Sequence, residues 1–155
     1  LVVFFLTGWF FTACETQSCG CVNYDLGIEV VIEDAAGKDL LDPSTDGYFN
    51  EQNITMLYEI KGKLENYGSM VGGDNPKGFT IYPNGDRYVL SLFSNPTAGS
   101  KVVTLLRIKD HPDVKLVTKV NGENGKRIEK IWYKDQLVWP VSKNDYSRTV
   151  TVTID

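Results

Sequence analysis

Hydrophobic and polar residues alternate along much of this chain. In the clearest run, Val150, Val152 and Ile154 alternate with threonines. A period of two with β-branched residues indicates β-strands that bury one face. The stretch 102–108 is apolar at most positions, as expected of a central strand whose two faces are both covered. Other runs share the period of two and occupy residues 28–32, 54–60, 88–92 and 114–120.

Turn-forming residues separate these runs. Asn84-Gly85 stands between FTIYP and RYVLSLF, and an Asn-Gly pair supplies the positive φ angles of a tight hairpin. Asp135-Gln136 is expected to turn KIWYK into LVW in a similar way. Roughly seven to nine short strands at this spacing predict an all-β fold, an antiparallel β-sandwich over residues 23–155.

The first thirteen residues carry no charge and are followed by Cys14. A membrane-spanning helix needs about 20 apolar residues, whereas the apolar part of a secretory signal needs roughly 7 to 15. The tetrapeptide FTAC at 11–14 suits a lipoprotein peptidase, because ordinary signal peptidase requires a small residue where Phe11 stands. We therefore predict a signal peptide over 1–13, a lipid on Cys14 and a tether over 14–22. The alternative is a buried strand or helix at the start.

The overall charge narrows the choice of partners. The chain has 155 residues, one domain's worth, and a net charge of −4, so a general electrostatic attraction to nucleic acid is not expected. A cationic cluster near the end is interleaved with Glu129 and is typical of a solvated strand face; its members are Lys126, Arg127, Lys130 and Lys134.

Two cysteines remain once Cys14 is acylated. Cys19 and Cys21 could close a small strained disulfide or stay as free thiols, and the sequence leaves both options open. A metal site needs three or four ligands, and His111 is the only histidine, far away in sequence. We expect no metal at these cysteines and no cofactor.

An enzyme would need more than His111 offers. This histidine lies between Asp110 and Pro112 in what the sequence predicts to be a turn. A catalytic triad requires a nucleophile, a base and an orienting acid that converge in space, and no matching motif accompanies His111. The sequence therefore favours a protein that is not an enzyme, with a hydrolase as a distant alternative.

Clustered aspartates offer a weak calcium candidate. Asp39, Asp42 and Asp46 lie close together in KDLLDPSTDG, and calcium prefers carboxylate and carbonyl oxygens. Their spacing does not follow the EF-hand pattern, in which ligands recur at every second residue. Aspartate before proline or glycine is also an ordinary turn former, which is the preferred interpretation.

Aromatic residues offer a candidate ligand-binding surface. If Ile131 points inward, its neighbour Trp132 points outward, although Ile128 has the same parity as Trp132 and would place it in the core. Tryptophan and tyrosine concentrate binding energy where they are exposed. The candidate ligand-binding aromatics are Trp132, Trp139 and Tyr146.

Three stretches, GKDLLDPSTDGYF, KIWYKDQLVW and RTVTVTI, resemble a group of small Bacteroidetes lipoproteins of unknown function. The resemblance implies an immunoglobulin-like β-sandwich at the bacterial cell envelope, on the outer membrane, and transfers no catalytic residue. We expect a lipid-anchored, non-enzymatic interaction or accessory module with a protein or glycan partner; the alternative is a glycan-binding lipoprotein. The side of the membrane that displays the domain stays open.

Overall fold

The computed structural model describes residues 24–67, 75–122, 126–142 and 144–154. These residues form eleven β-strands in two sheets and no helical element, so the all-β prediction is confirmed. No helix among them has the length and hydropathy of a membrane span. The predicted signal peptide, Cys14, the predicted tether and the two further cysteines lie outside the described residues.

The larger sheet, sheet A, contains β1 (Tyr24–Asp25), β3 (Ile54–Ile60), β4 (Lys63–Asn66), β7 (Gly99–Ile108), β8 (Val114–Asn121), β9 (Lys126–Tyr133) and β10 (Gln136–Trp139). The smaller sheet, sheet B, contains β2 (Gly27–Asp34), β5 (Phe79–Asn84), β6 (Arg87–Phe93) and β11 (Thr149–Ile154).

The order of strands makes both sheets mixed. Sheet A runs β1-β9-β8-β7-β3-β4, with β10 also paired to β9, and sheet B runs β11-β2-β6-β5. The β1–β9 and β11–β2 pairs are parallel and the others antiparallel, so the sandwich is not the purely antiparallel one expected. Eleven strands exceed the expected seven to nine because β1, β4 and β10 have only two to four residues, too few to show a period.

The core lies between the two sheets and comes from the apolar sides of the predicted runs. Even-numbered residues of β2, β3, β6, β7, β8 and β11 point inward, and Val30, Leu90 and Leu116 are each fully buried. Burial of this kind stabilises the fold by about 25 cal/mol for each Å² of apolar surface removed from water. The strands predicted from alternation are therefore confirmed, and their faces are assigned.

Two hairpin loops differ from the sequence expectation by one position. The β5–β6 loop is 85–86, with Gly85 at φ 67°, one position after the expected pair. The β9–β10 loop is 134–135, one position before the expected pair, with Lys134 at φ 48° and Asp135 at φ 61°. Positive φ at both central residues matches the twist of the flanking strands, so this loop forms without glycine.

A β-bulge in β9 decides which residues reach the core. Val120 pairs with Ile128, but the adjacent Lys119 pairs with Lys130, so β9 carries one extra residue at this point. The extra residue reverses the alternation of faces. Ile128 and Ile131 are therefore both buried in the core, and Trp132 is turned to the outer face of sheet A.

Candidate functional site

An apolar row crosses the outer face of sheet A. Leu137 pairs with Trp132, Trp132 with Val117, and Val117 with Val103. Residues directly opposite each other in antiparallel strands share a face of the sheet. Val103 is nearly buried, Val117 and Trp132 are partly exposed, and Leu137 is 46% exposed. The row therefore becomes more accessible to solvent from the middle of the sheet towards β10.

A shallow groove of about 610 Å³ opens over this row. Trp132, Val117 and Val103 contribute its apolar lining. Lysines outnumber carboxylates four to two among its charged lining residues, which are Lys101, Lys115, Lys119, Lys130, Glu59 and Asp135. The groove is therefore locally cationic, although the whole chain has a net charge of −4.

Most of the lysine charge in the groove is not neutralised by an ion pair. Lys119 Nζ lies 2.6 Å from Glu129 Oε2, and the hydrogen bond from Lys119 is the main cause that lowers the pKa of Glu129 below its ordinary value. Within the described part of the chain, Lys101, Lys115 and Lys130 make no ion pair. These three ammonium groups are available to an anionic ligand.

Several polar side chains on the outer face of sheet B bind one another. Glu29 accepts hydrogen bonds from the Tyr82 hydroxyl at 2.7 Å and from Thr149 Oγ1 at 3.2 Å. The bond to Glu29 raises the pKa of Tyr82. Arg87 Nη1 lies 2.6 Å from Glu33 Oε2. On this face Glu29 thus has hydrogen-bond donors and Arg87 has an ion-pair partner, whereas Lys101, Lys115 and Lys130 of sheet A have no ion-pair partner among the described residues.

The three candidate aromatics do not form one surface. Trp132 lies in the groove on sheet A, whereas Trp139 is 9% exposed and belongs to the core. Tyr146 is 88% exposed and lines a separate cavity of about 410 Å³ together with Trp139 and Arg148. Of the three, Trp132 is the one that combines partial exposure with the cationic groove.

Two of the three candidate calcium residues accept hydrogen bonds from backbone amides. Asp39 accepts hydrogen bonds from the backbone amides of Leu41 and Tyr88, at 2.9 and 2.7 Å, and so ties the loop after β2 to β6. Asp42 accepts one from an amide two residues later, while Asp46 is exposed. Among the described residues, no three His, Cys, Asp or Glu side chains form a group able to hold a metal ion.

His111 lies in the turn after β7, where it contacts an aromatic ring. Its imidazole packs edge-on against Phe49, with ring centres 4.9 Å apart. Across the residues that the structure describes, the His111 side chain makes no hydrogen bond to a serine hydroxyl or a carboxylate. In the described structure, His111 therefore packs against Phe49.

The sequence interpretation missed most of the groove. Of the cationic cluster singled out near residue 130, only Lys130 lines it. Lys101, Lys115 and Lys119 come from β7 and β8, and a weak signal existed in β8, where lysines at 115 and 119 alternate with core residues. What brings them together with Trp132 is the order β7-β8-β9 in the sheet.

Comparison of the chain with protein-family models, curated protein sequences and solved structures returns no significant match.

Proposed function

We propose that this protein is a non-enzymatic interaction module of the bacterial cell envelope, and that the outer face of sheet A is its binding surface. The observation that carries the proposal is the difference between the two outer faces. On sheet B, Glu29 accepts a hydrogen bond from the Tyr82 hydroxyl, and Arg87 forms an ion pair with Glu33. On sheet A, a partly exposed tryptophan lies among four lysines, of which three lack an ion-pair partner in the described residues.

The proposed location at a membrane depends on the start of the chain. The FTAC tetrapeptide supports lipid attachment at Cys14, and durable anchoring takes at least two membrane-binding signals, because a single acyl chain binds only marginally. The resemblance to small Bacteroidetes lipoproteins supports an outer-membrane location and an immunoglobulin-like class of sandwich. Changing Cys14 to Ser should abolish lipid labelling and release the protein from the membrane fraction, whereas changing Cys19 to Ser should do neither.

A glycan partner is the second candidate, and Trp132 favours it. An indole ring that is partly exposed in an open groove can stack on the apolar face of a sugar ring, because aromatic side chains offer a large rigid apolar surface. Val117 and Val103 extend the apolar surface across the next two strands.

The test of the binding face does not require a known ligand. Lysines of the membrane-attached protein are acetylated in intact envelopes and, for comparison, in the purified full chain, and each site is quantified by mass spectrometry. We expect envelopes to protect Lys101, Lys115 and Lys130 more than threefold relative to the purified chain. Lys38, in the turn after β2 of sheet B, is the matched control.

Equal labelling of the three groove lysines in both preparations would contradict the proposed binding face. Protection of Lys38 to the same extent would contradict it as well, because it would indicate general shielding by the envelope.

A further inference from the structure

The charge and shape of the groove also specify a ligand class, and this inference rests on the proposed function. We propose that the groove on sheet A binds an acidic polysaccharide, in which Trp132 stacks on a sugar ring and the surrounding lysines bind carboxylate, sulfate or phosphate substituents.

Two lysines of the groove face each other across neighbouring strands of sheet A. Lys119 and Lys130 are direct cross-strand partners in β8 and β9. Like charges directly opposite each other destabilise a sheet, and the single ion pair to Glu129 neutralises only one of the two. An anionic ligand at Lys130 would neutralise the charge that Glu129 leaves uncompensated, so the arrangement favours binding of negative charge.

The lysines of the groove also form a row that crosses the strands of sheet A. Lys130, Lys119 and Lys101 lie on three neighbouring strands, β9, β8 and β7. Neighbouring strands are about 4.8 Å apart, which is comparable to the length of one sugar unit. A polysaccharide that crosses the strands can therefore present charged substituents to Lys130 and Lys101, with Lys119 and its partner Glu129 between them.

The position of Trp132 beside a lysine favours a polysaccharide over an acidic peptide as the ligand. Trp132 is two residues from Lys130 on β9, so an aromatic surface lies beside a cation on the same face. Val103 is only 8% exposed, so the apolar surface that the groove offers a ligand comes from Val117 and Trp132 rather than from Val103. A flat aromatic ring beside ammonium groups matches a sugar ring with a charged substituent.

The test uses two matched pairs of polymers. Binding of the purified full chain in detergent is measured by titration calorimetry with polygalacturonate and its methyl ester, and with dextran sulfate and dextran; polyglutamate represents an acidic peptide. The variants are Trp132→Ala and the double variant Lys101→Gln/Lys130→Gln, with Lys38→Gln as the control. Thermal unfolding of each variant verifies that it remains folded.

We expect at least one charged polysaccharide to bind about tenfold or more tightly than its neutral partner. Trp132→Ala and the double lysine variant should each weaken that binding about tenfold, and Lys38→Gln should leave it unchanged. Raising the salt concentration should weaken it further, because salt screens exposed charges.

Equal binding of charged and neutral polymers would overturn the acidic ligand class and leave a neutral glycan. Tighter binding of polyglutamate, unaffected by Trp132→Ala, would overturn the polysaccharide in favour of an acidic protein. Binding of no polymer would also overturn this inference. In each case the proposed binding face is judged separately, since it fails only if the groove lysines show no specific protection in envelopes.

Discussion

Arg148 donates two hydrogen bonds to the carboxylate of Asp25 and thereby joins the edges of the two sheets. The bond from Nη2 to Oδ2 measures 2.6 Å. Asp25 belongs to β1 of sheet A, whereas Arg148 immediately precedes β11 of sheet B. The guanidinium carbon also lies 5.0 Å from the ring centre of Trp139. The strand that follows the proposed lipid tether is thus attached to both halves of the sandwich.

The Asp25–Arg148 pair should make stability depend on pH in acid. The hydrogen bond from Arg148 lowers the folded-state pKa of Asp25, below an unfolded value of about 3.9. The stabilisation is therefore present above that value and is lost as the pH falls through the folded-state pKa. Because the Asp25 side chain is 48% exposed, solvent screening limits the effect to about 1 kcal/mol or less.

Asp25→Asn should accordingly unfold more easily than the unchanged protein at pH 7, and the difference should shrink towards pH 3. Urea unfolding at several pH values measures this. A constant difference across that range would show that the charge of Asp25 is not the cause.

Adding a side chain at Gly78 should lower the free energy of unfolding. Its φ is 77°, and an added Cβ would lie 2.3 Å from Met56 Cε and 2.5 Å from Tyr67 Cδ1. Gly78→Ala combines backbone strain of roughly 1–2 kcal/mol with overpacking of roughly 1–3 kcal/mol. Gly37→Ala is the control, because Gly37 has φ 79° and no atom within 4 Å of an added Cβ. Chemical denaturation should show the larger loss for Gly78→Ala; equal losses would exclude the steric contribution.

Asn95 should be essential to the crossover from sheet B to sheet A. Its fully buried side chain donates hydrogen bonds to the carbonyl oxygens of Glu59 and Val103, at 3.0 and 3.3 Å, and accepts one from the Thr97 amide. Asn95→Ala leaves these buried groups unpaired at a cost of about 2–3 kcal/mol. The exposed Asn84→Ala should cost less than about 0.5 kcal/mol. Thermal unfolding compares the two, and similar values would contradict this role for Asn95.

Lys130→Gln should stabilise the free protein while weakening ligand binding. The substitution removes one of two like charges that face each other across β8 and β9, which is worth roughly 0.2–0.5 kcal/mol. Lys38→Gln, in a turn without such a pair, should leave stability unchanged. A higher midpoint of urea unfolding for Lys130→Gln alone is the expected result; a lower midpoint would mean that Lys130 contributes to the fold.

Alternation along the sequence was sufficient to predict the strands that build the core. Val150 and Val152 point inward as their period requires, because a shift by one residue would expose every apolar side chain of the strand. The same rule could not place Trp132. Its orientation depends on the extra residue in β9, and that bulge is defined by pairing with β8, which no local pattern encodes.

The groove could not be predicted for a related reason. Lys101 and Lys130 are far apart along the chain and become neighbours of the same surface only through the strand order β7-β8-β9. The parallel pairing of β11 with β2 is likewise a long-range contact. By contrast, the turn role of Asp39 and Asp42 follows from local chemistry, since both carboxylates accept hydrogen bonds from amides two residues later.

If the outer face of sheet A is the binding surface, the amide chemical shifts of its residues should change when a ligand is added. Isotope-labelled full chain is titrated in detergent with polygalacturonate and, separately, with dextran sulfate. We expect the largest changes in amide chemical shift at Val103, Val117 and Trp132. The amides of Thr80 and Thr149, on the outer face of sheet B, should change little. Shifts concentrated on the outer face of sheet B would contradict the proposed binding face, whereas the absence of any shift would overturn the polysaccharide inference.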